Sequence, residues 1–188
     1  MIAVIYHDFH FLYLHLVIMH IFDVALSMML LCYGIALCSL LCRYQSNSSV
    51  SNLLADQVCR NIVWWAAVGL GITTIWYEWI RSDRVSLGII MGLLIGLVGV
   101  FMIPEGNCTH TVSAFVVFGM IVLFMGYHIR RNPILMVSFI LQCIWSVATL
   151  YYIQYDNHMF LGEALLILNF AFYYLYLHFI SRKTLPYL

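Results

Sequence analysis

The feature that most constrains this chain is a series of long apolar runs separated by short polar segments. A helix that crosses a bilayer needs about 20 apolar residues, at 1.5 Å per residue against a hydrocarbon core of roughly 30 Å. Short polar segments are typical of the connections between antiparallel neighbouring helices. The runs of this length are Asn61 to Trp79, Val85 to Ile103, Thr111 to Ile129, Ile134 to Ile153 and Phe160 to Ile180.

Composition leads to the same class of protein. Of the 188 residues, 64% are apolar and only 9% are charged, whereas a soluble domain carries about 25% charged residues. The 8 Lys and Arg residues are balanced by 8 Asp and Glu residues, so the basic surface of a nucleic-acid-binding protein is absent. We therefore expect a multi-pass protein in a lipid bilayer, in a bacterial inner membrane or a plasma membrane.

The first apolar run, Phe11 to Cys42, has an unusual length. As one helix it would measure about 48 Å, which is too long for one upright span and too short for two spans with a turn. We predict one span whose deepest part is Phe22 to Cys42, preceded by a segment that is interfacial or protrudes from the membrane. The fold class is thus an all-α, polytopic transmembrane helical bundle with short loops and six spanning helices, or five as the alternative.

This interpretation makes the whole chain one integral membrane domain. Its predicted parts are an N-terminal segment at 1–10, a first long helix at 11–42, a polar loop at 43–60, a five-helix region at 61–181 and a C-terminal tail at 182–188.

The positions of Lys and Arg predict the orientation, because cytoplasmic loops retain positive charge. Alternation of the spans then places Arg43 and Arg60 on the outer side, against this rule. The predicted cytoplasmic basic surface, on which a soluble protein partner would dock, consists of Arg81, Arg84, Arg130, Arg131, Arg182 and Lys183.

Small residues line one face of the third predicted span. Gly88, Gly92 and Gly96 recur at four-residue intervals, and Gly99 follows. Small residues let helix backbones approach closely in lipid. This ridge predicts a close-packing face, either between helices of one subunit or at the interface of a homo-oligomer.

Polar residues at membrane depth are the next candidates, because each costs free energy unless it is paired or wetted. At 100° per residue His20 and Asp23 lie 60° apart on one helix face, so they could form a carboxylate–imidazole pair that relays a proton or only satisfies its own polar atoms. Gln142 and Asn169, near the middle of the last two spans, are expected to bond to another helix or to face a polar cavity.

The chain contains 8 histidines. Haem b needs two axial imidazoles at matching depth on different helices, and His15, His128 and His178 are predicted near the same cytoplasmic level. The sequence contains no catalytic motif and no metal-binding motif such as H-E-x-x-H, so no cofactor is predicted, and haem is kept as an alternative. An interfacial belt is expected to explain most of the aromatic residues near the span ends, a group that includes Trp64, Tyr77 and Tyr174.

The resulting functional hypothesis is a non-enzymatic membrane protein. It would form a homo-oligomeric pore or the membrane-embedded subunit of a larger complex. Such a subunit could sense the state of the membrane and recruit a soluble cytoplasmic partner, as in stress or phage-defence assemblies. The alternatives are a haem-binding redox protein and a small proton-coupled transporter that uses His20 and Asp23.

Overall fold

The chain forms a bundle of helices in a computed structural model that describes residues 2–43, 50–53, 57–104, 106–130, 133–155 and 159–184. Within these ranges no strand occurs, as the prediction of an all-α fold requires. A short 3₁₀ turn, Pro133–Leu135, precedes the sixth helix. The helices are α1 (Ile2–Cys42), α2 (Val50–Leu53), α3 (Gln57–Ile80), α4 (Arg84–Met102), α5 (Cys108–Ile129), α6 (Met136–Tyr155) and α7 (Met159–Thr184).

Five helices within the described residues are long and apolar enough to cross a membrane, which confirms a multi-pass membrane protein. The number equals the alternative count of five. In the fifth predicted run, Pro133–Thr149 is a shorter apolar helix within the part whose side chains the structure describes, and α6 itself continues to Tyr155. The five candidate spans are Met19–Cys42, Gln57–Ile80, Arg84–Met102, Cys108–Ile129 and Leu161–Phe179.

Helix α1 is continuous over 41 residues, about 60 Å at 1.5 Å per residue. Met19–Cys42 alone is long and apolar enough for one span, and residues 2–18 add about 25 Å of helix before it. The predicted interfacial or protruding position of the segment before the first span stays a prediction. We call residues 2–18 the α1 extension.

The polar segments end the helices through specific backbone contacts. Ser82 adopts a left-handed φ of 58° in the turn after α3, and the Asp83 side chain then accepts a hydrogen bond from the Ser86 amide at 3.1 Å. At the start of α5, Asn107 accepts from the Thr109 amide at 3.0 Å. Asp and Asn are favoured at this position because they satisfy amides that the first helical turn leaves without partners.

The bundle has two ends with different cores. We call the end where α3, α5 and α7 finish and α4 begins the polar end, and the other the opposite end. The core near the polar end includes Phe22, Tyr77, Phe124 and Tyr174. The core at the opposite end is smaller, and its buried members are Leu40, Leu53, Cys59, Val63 and Phe101.

The glycine ridge of α4 packs against α5 of the same chain. A Cβ at Gly96 would lie 3.0 Å from side-chain carbons of Val116 and Val117, and one at Gly92 would lie 2.9 Å from Met120 Cε. Gly99 faces Ser113 equally closely, whereas a Cβ at Gly88 would meet nothing within 4 Å. Three of the four glycines therefore serve packing within one subunit.

Candidate functional site

Ionisable and phenolic side chains from three helices meet at the polar end. Helix α1 supplies Asp23, the end of α3 supplies Tyr77 and Glu78, and the end of α7 supplies Tyr174 and His178. Arg81, in the turn after α3, completes the group. We call these six residues the buried polar cluster.

Glu78 is fully buried in this cluster. Its Oε1 accepts a hydrogen bond from Arg81 Nη1 at 3.1 Å and a second one from the Tyr174 hydroxyl. Its Oε2 is buried without a hydrogen-bond partner among the described residues. A carboxylate removed from water is stable only when it is paired and hydrogen-bonded, so the Arg81 and Tyr174 contacts are required for Glu78 to occupy this position.

His178 connects α7 to both α3 and α1. Its Nδ1 shares a hydrogen bond with the Tyr77 hydroxyl, and its Nε2 lies 3.7 Å from Asp23 Oδ1. Asp23 is the more accessible member, with 40% of its side chain exposed against 4% for His178. The contacts thus run from a partly exposed carboxylate to a buried phenol, through an imidazole whose two nitrogens both face polar groups.

A second polar pair of contacts joins α4 to α5 at the same end. Ser86 Oγ lies 3.2 Å from His128 Nε2, and both side chains are buried. The Tyr127 hydroxyl donates to the two carboxylate oxygens of Asp83 at 3.1 and 3.3 Å. Asp83 therefore serves both as the cap of α4 and as the acceptor that holds α5 to it.

Aromatic rings fill the space between these polar groups. Phe124 stacks on Tyr174 with ring centroids 5.4 Å apart and lies 4.6 Å from the His128 ring. Phe22 packs edge-on against Tyr77 at 5.2 Å. Edge-on and offset arrangements are the favoured geometries of aromatic pairs, so the rings fix the orientation of the hydroxyl and imidazole groups.

The arrangement can hold and redistribute protons, because carboxylate, imidazole and phenol groups lie in contact. Within the described part of the chain, no three His, Cys, Asp or Glu residues are grouped to hold a metal ion. His128 and His178 each use a ring nitrogen for a protein contact, and ligation of haem iron at those nitrogens would break the contacts. The side chain of His15 lies outside the described residues.

No protein-family model, no curated protein and no solved structure matches the chain. The interpretation of the polar end therefore depends on its geometry and chemistry.

The two members of the predicted pair on α1 have different surroundings. His20 is exposed, and Asp23 lies beside His178 of α7. A proton relay between His20 and Asp23 stays a prediction. In contrast, the predicted bonding of the two mid-span amides is present, since Asn169 Nδ2 donates to Gln142 Oε1 at 2.7 Å and to the Ser138 carbonyl at 3.0 Å.

Only some of the described residues of the predicted basic surface are exposed. Arg84 and Arg130 are exposed at the polar end, whereas Arg81 turns inward to Glu78 and is 11% exposed. Arg131 lies outside the described residues, and so do the side chains of Arg182 and Lys183.

The prediction of an interfacial belt is wrong for the tyrosines that form the core of the polar end. Tyr77, Tyr173 and Tyr174 are buried, with exposures of 1%, 1% and 6%, while Trp65 and Trp79 are exposed as a belt requires. The buried tyrosines and the exposed tryptophans both lie near span ends, so position along the span did not distinguish them. The available signal was the four-residue spacing of Tyr174 and His178, which places both polar tips on one helix face.

The opposite end is held by side chains that bind backbone groups. Arg60 Nη2 donates to the Phe101 carbonyl at 3.1 Å, and Glu163 Oε2 accepts from the Val50 amide at 2.9 Å. An arginine commonly satisfies a carbonyl in the last turn of a helix. The hydrogen bond to Phe101 therefore gives Arg60 a structural role on the predicted outer side, where the positive-inside rule disfavours an arginine.

Proposed function

We propose that this protein is the membrane-embedded subunit of a larger assembly and binds a second protein through the α1 extension. The observation that supports it is the length of α1, which is one continuous helix of 41 residues, whereas a single span needs about 20 residues. The neighbouring helix α3 ends at Ile80, close to the level of Phe22. Helix α7 is described as far as Thr184, six residues beyond His178.

The composition of the α1 extension supports a covered position. Its residues that are not apolar are Asp8 and three histidines, His7, His10 and His15. A helix that is apolar on all sides is normally buried in a protein core or in lipid. A groove on a second protein would cover the part of the extension that leaves the bilayer.

The buried polar cluster supports this role because of its position. Asp23 and Phe22 contact His178 and Tyr77 at the level where α1 leaves the bundle. The cluster thereby ties the base of the extension to α3 and α7. A partner that moves the extension would act first on the Asp23–His178 contact.

The same geometry favours a different protein over another copy of this chain. The glycine ridge, which was the candidate surface for self-association, faces α5 at Gly92, Gly96 and Gly99. Arg84 and Arg130 are exposed at the polar end. A partner with an apolar groove flanked by acidic side chains complements both the extension and this charge.

Site-specific photo-crosslinking of the full-length protein in its native membrane tests the proposal. A photoreactive phenylalanine analogue at Phe11, within the extension, is expected to yield one discrete adduct with a different protein. A matched probe at Leu123, which is exposed in the middle of α5, should crosslink to lipid only.

Three results would contradict the proposal. Crosslinking of the Phe11 probe only to lipid would place the extension in the bilayer. An adduct of twice the mass of the chain would indicate self-association. The same protein adduct from Phe11 and Leu123 would indicate non-specific proximity.

A further inference from the structure

A cavity of about 470 Å³ lies at the opposite end of the bundle, between the start of α3 and the end of α4. It is separate from the buried polar cluster and from the α1 extension. Its lining combines one guanidinium, two carboxamides, an indole ring and two apolar side chains. The lining residues are Gln57, Arg60, Asn61, Trp64, Phe101 and Met102.

Arg60 is the charged group of this lining. One of its five N–H donors is used by the Phe101 carbonyl, and the side chain remains exposed. The guanidinium is planar and its N–H groups have fixed relative directions, so the Phe101 contact also holds the other donors in place at the cavity. Guanidinium groups bind phosphate and carboxylate oxygens with paired hydrogen bonds.

The cavity lies where two candidate spans end, which is the expected depth of a membrane–water interface. Gln57, the first residue of the span Gln57–Ile80, lines one side of it, and Met102, the last residue of the span Arg84–Met102, lines the other. Trp64 lines it in edge-on contact with Phe101, at 5.4 Å between ring centroids, and Trp65 beside it is exposed. Tryptophan is enriched at the headgroup level of bilayers.

An apolar track leads from the cavity into the lipid-facing surface. Met102 lines the cavity and is exposed, and Val98, Ile95 and Met91 are exposed one, two and three turns earlier on α4. Spacings of three and four residues place these side chains on one helix face. A ligand with a charged head and hydrocarbon chains would contact both the polar cavity and the apolar track. A free anion would contact only the polar cavity.

We propose that this cavity binds the anionic phosphate headgroup of a phospholipid, with Arg60 on the phosphate and the acyl chains along the exposed face of α4. Gln57 and Asn61 offer amide donors and acceptors to the polar part of the headgroup. Trp64 and Phe101 form the apolar wall beneath it. The lipid would then bridge α3 and α4 at the end where Arg60 also joins them.

Native mass spectrometry of the full-length protein in mild detergent tests the proposal. Dioleoyl phosphatidylglycerol and dioleoyl phosphatidylcholine are added in equal amounts. Both carry a phosphate, but the choline cation opposes the charge of Arg60, so retention of the net anionic phosphatidylglycerol is expected to exceed that of phosphatidylcholine. Arg60→Gln should weaken phosphatidylglycerol binding by about tenfold or more, since a charge-assisted hydrogen bond is lost. Arg43→Gln, an exposed arginine just after α1, is the matched control and should bind as the wild type does.

A second variant keeps the test independent of the Arg60–Phe101 contact. Met102→Trp fills the cavity mouth while leaving the guanidinium and its hydrogen bond in place, and it should also reduce phosphatidylglycerol retention. Equal retention of the two lipids, or unchanged binding in both variants, would overturn the proposal. Full displacement of the lipid by inorganic phosphate at equal concentration would assign the cavity to free phosphate and would overturn it as well.

Discussion

The two ends of the α4–α5 pair are held together in different ways. At the polar end, side chains lie between the helices, with Ser86 on His128 and Asp83 on Tyr127. Towards the opposite end, Gly96 brings the α4 backbone within contact distance of α5, so that an added Cβ would lie 3.2 Å from the Ser113 carbonyl oxygen. One helix pair thus uses polar side chains at one end and close backbone approach at the other.

The difference shows how a membrane bundle can accommodate ionisable groups. Close approach of backbones leaves no room for imidazole or phenol rings. Gly88, the glycine nearest the polar end, is exposed, and an added Cβ there would meet nothing within 4 Å. The interhelical contacts of Ser86 with His128 and of Asp83 with Tyr127 accordingly lie at the polar end, away from the close glycine contacts at Gly96 and Gly99.

The largest expected effect is at Glu78. Glu78→Ala leaves Arg81 and the Tyr174 hydroxyl without their shared acceptor, and breaking a buried ion pair costs about 3 to 5 kcal/mol. We expect a loss of this size in the free energy of unfolding, measured by denaturant titration in mixed micelles. Glu78→Gln retains an oxygen acceptor and should lose less than half as much. A loss below about 1 kcal/mol for Glu78→Ala would show that the contacts do not stabilise the polar end.

A smaller effect is expected from widening the glycine contact. Gly96→Ala introduces a methyl group 3.0 Å from Val116 and Val117, and overpacking of this kind costs about 1 to 3 kcal/mol. Gly88→Ala adds the same methyl group where nothing lies within 4 Å, and it should leave the free energy of unfolding unchanged. Equal effects at Gly96 and Gly88 in the same titration would refute the close contact of Gly96 with α5.

The smallest effect is expected at Ser86. Ser86→Ala removes the hydroxyl that contacts His128 Nε2, and an interhelical hydrogen bond in a membrane protein contributes about 0.6 to 1.7 kcal/mol. We expect a loss in this range in the same titration. Ser27→Ala, which removes only a hydroxyl bonded to its own helix at the Asp23 carbonyl, is the control. If both variants lost the same free energy, the Ser86–His128 contact would not hold α4 to α5.

The helices could be predicted from sequence because lipid imposes a length on each apolar run. The run Val85 to Ile103 became α4 at Arg84–Met102, and Thr111 to Ile129 became α5 at Cys108–Ile129. The Asn169–Gln142 hydrogen bond was also predictable, since an amide in the middle of a span must find a partner.

The polar end could not be assembled from sequence. Tyr174 and Glu78 are 96 positions apart, and Tyr77 and His178 are 101 apart. Apolar periodicity shows which residues lie in the membrane, but it does not specify which helix neighbours which. The tyrosines carried a second ambiguity, because a ring with one polar edge suits both a headgroup layer and a buried hydrogen bond.

Helix α1 has no proline, and its first glycine is Gly34, so its N-terminal half lacks the usual sites of bending. We therefore expect this half of α1 to move as one rigid segment about its contacts at Phe22 and Asp23. A swing of about 10° would move the far tip, about 30 Å away, by roughly 5 Å. A displacement of the N-terminal tip that leaves every helix intact would thus change the distance between the Asp23 carboxylate and the His178 imidazole.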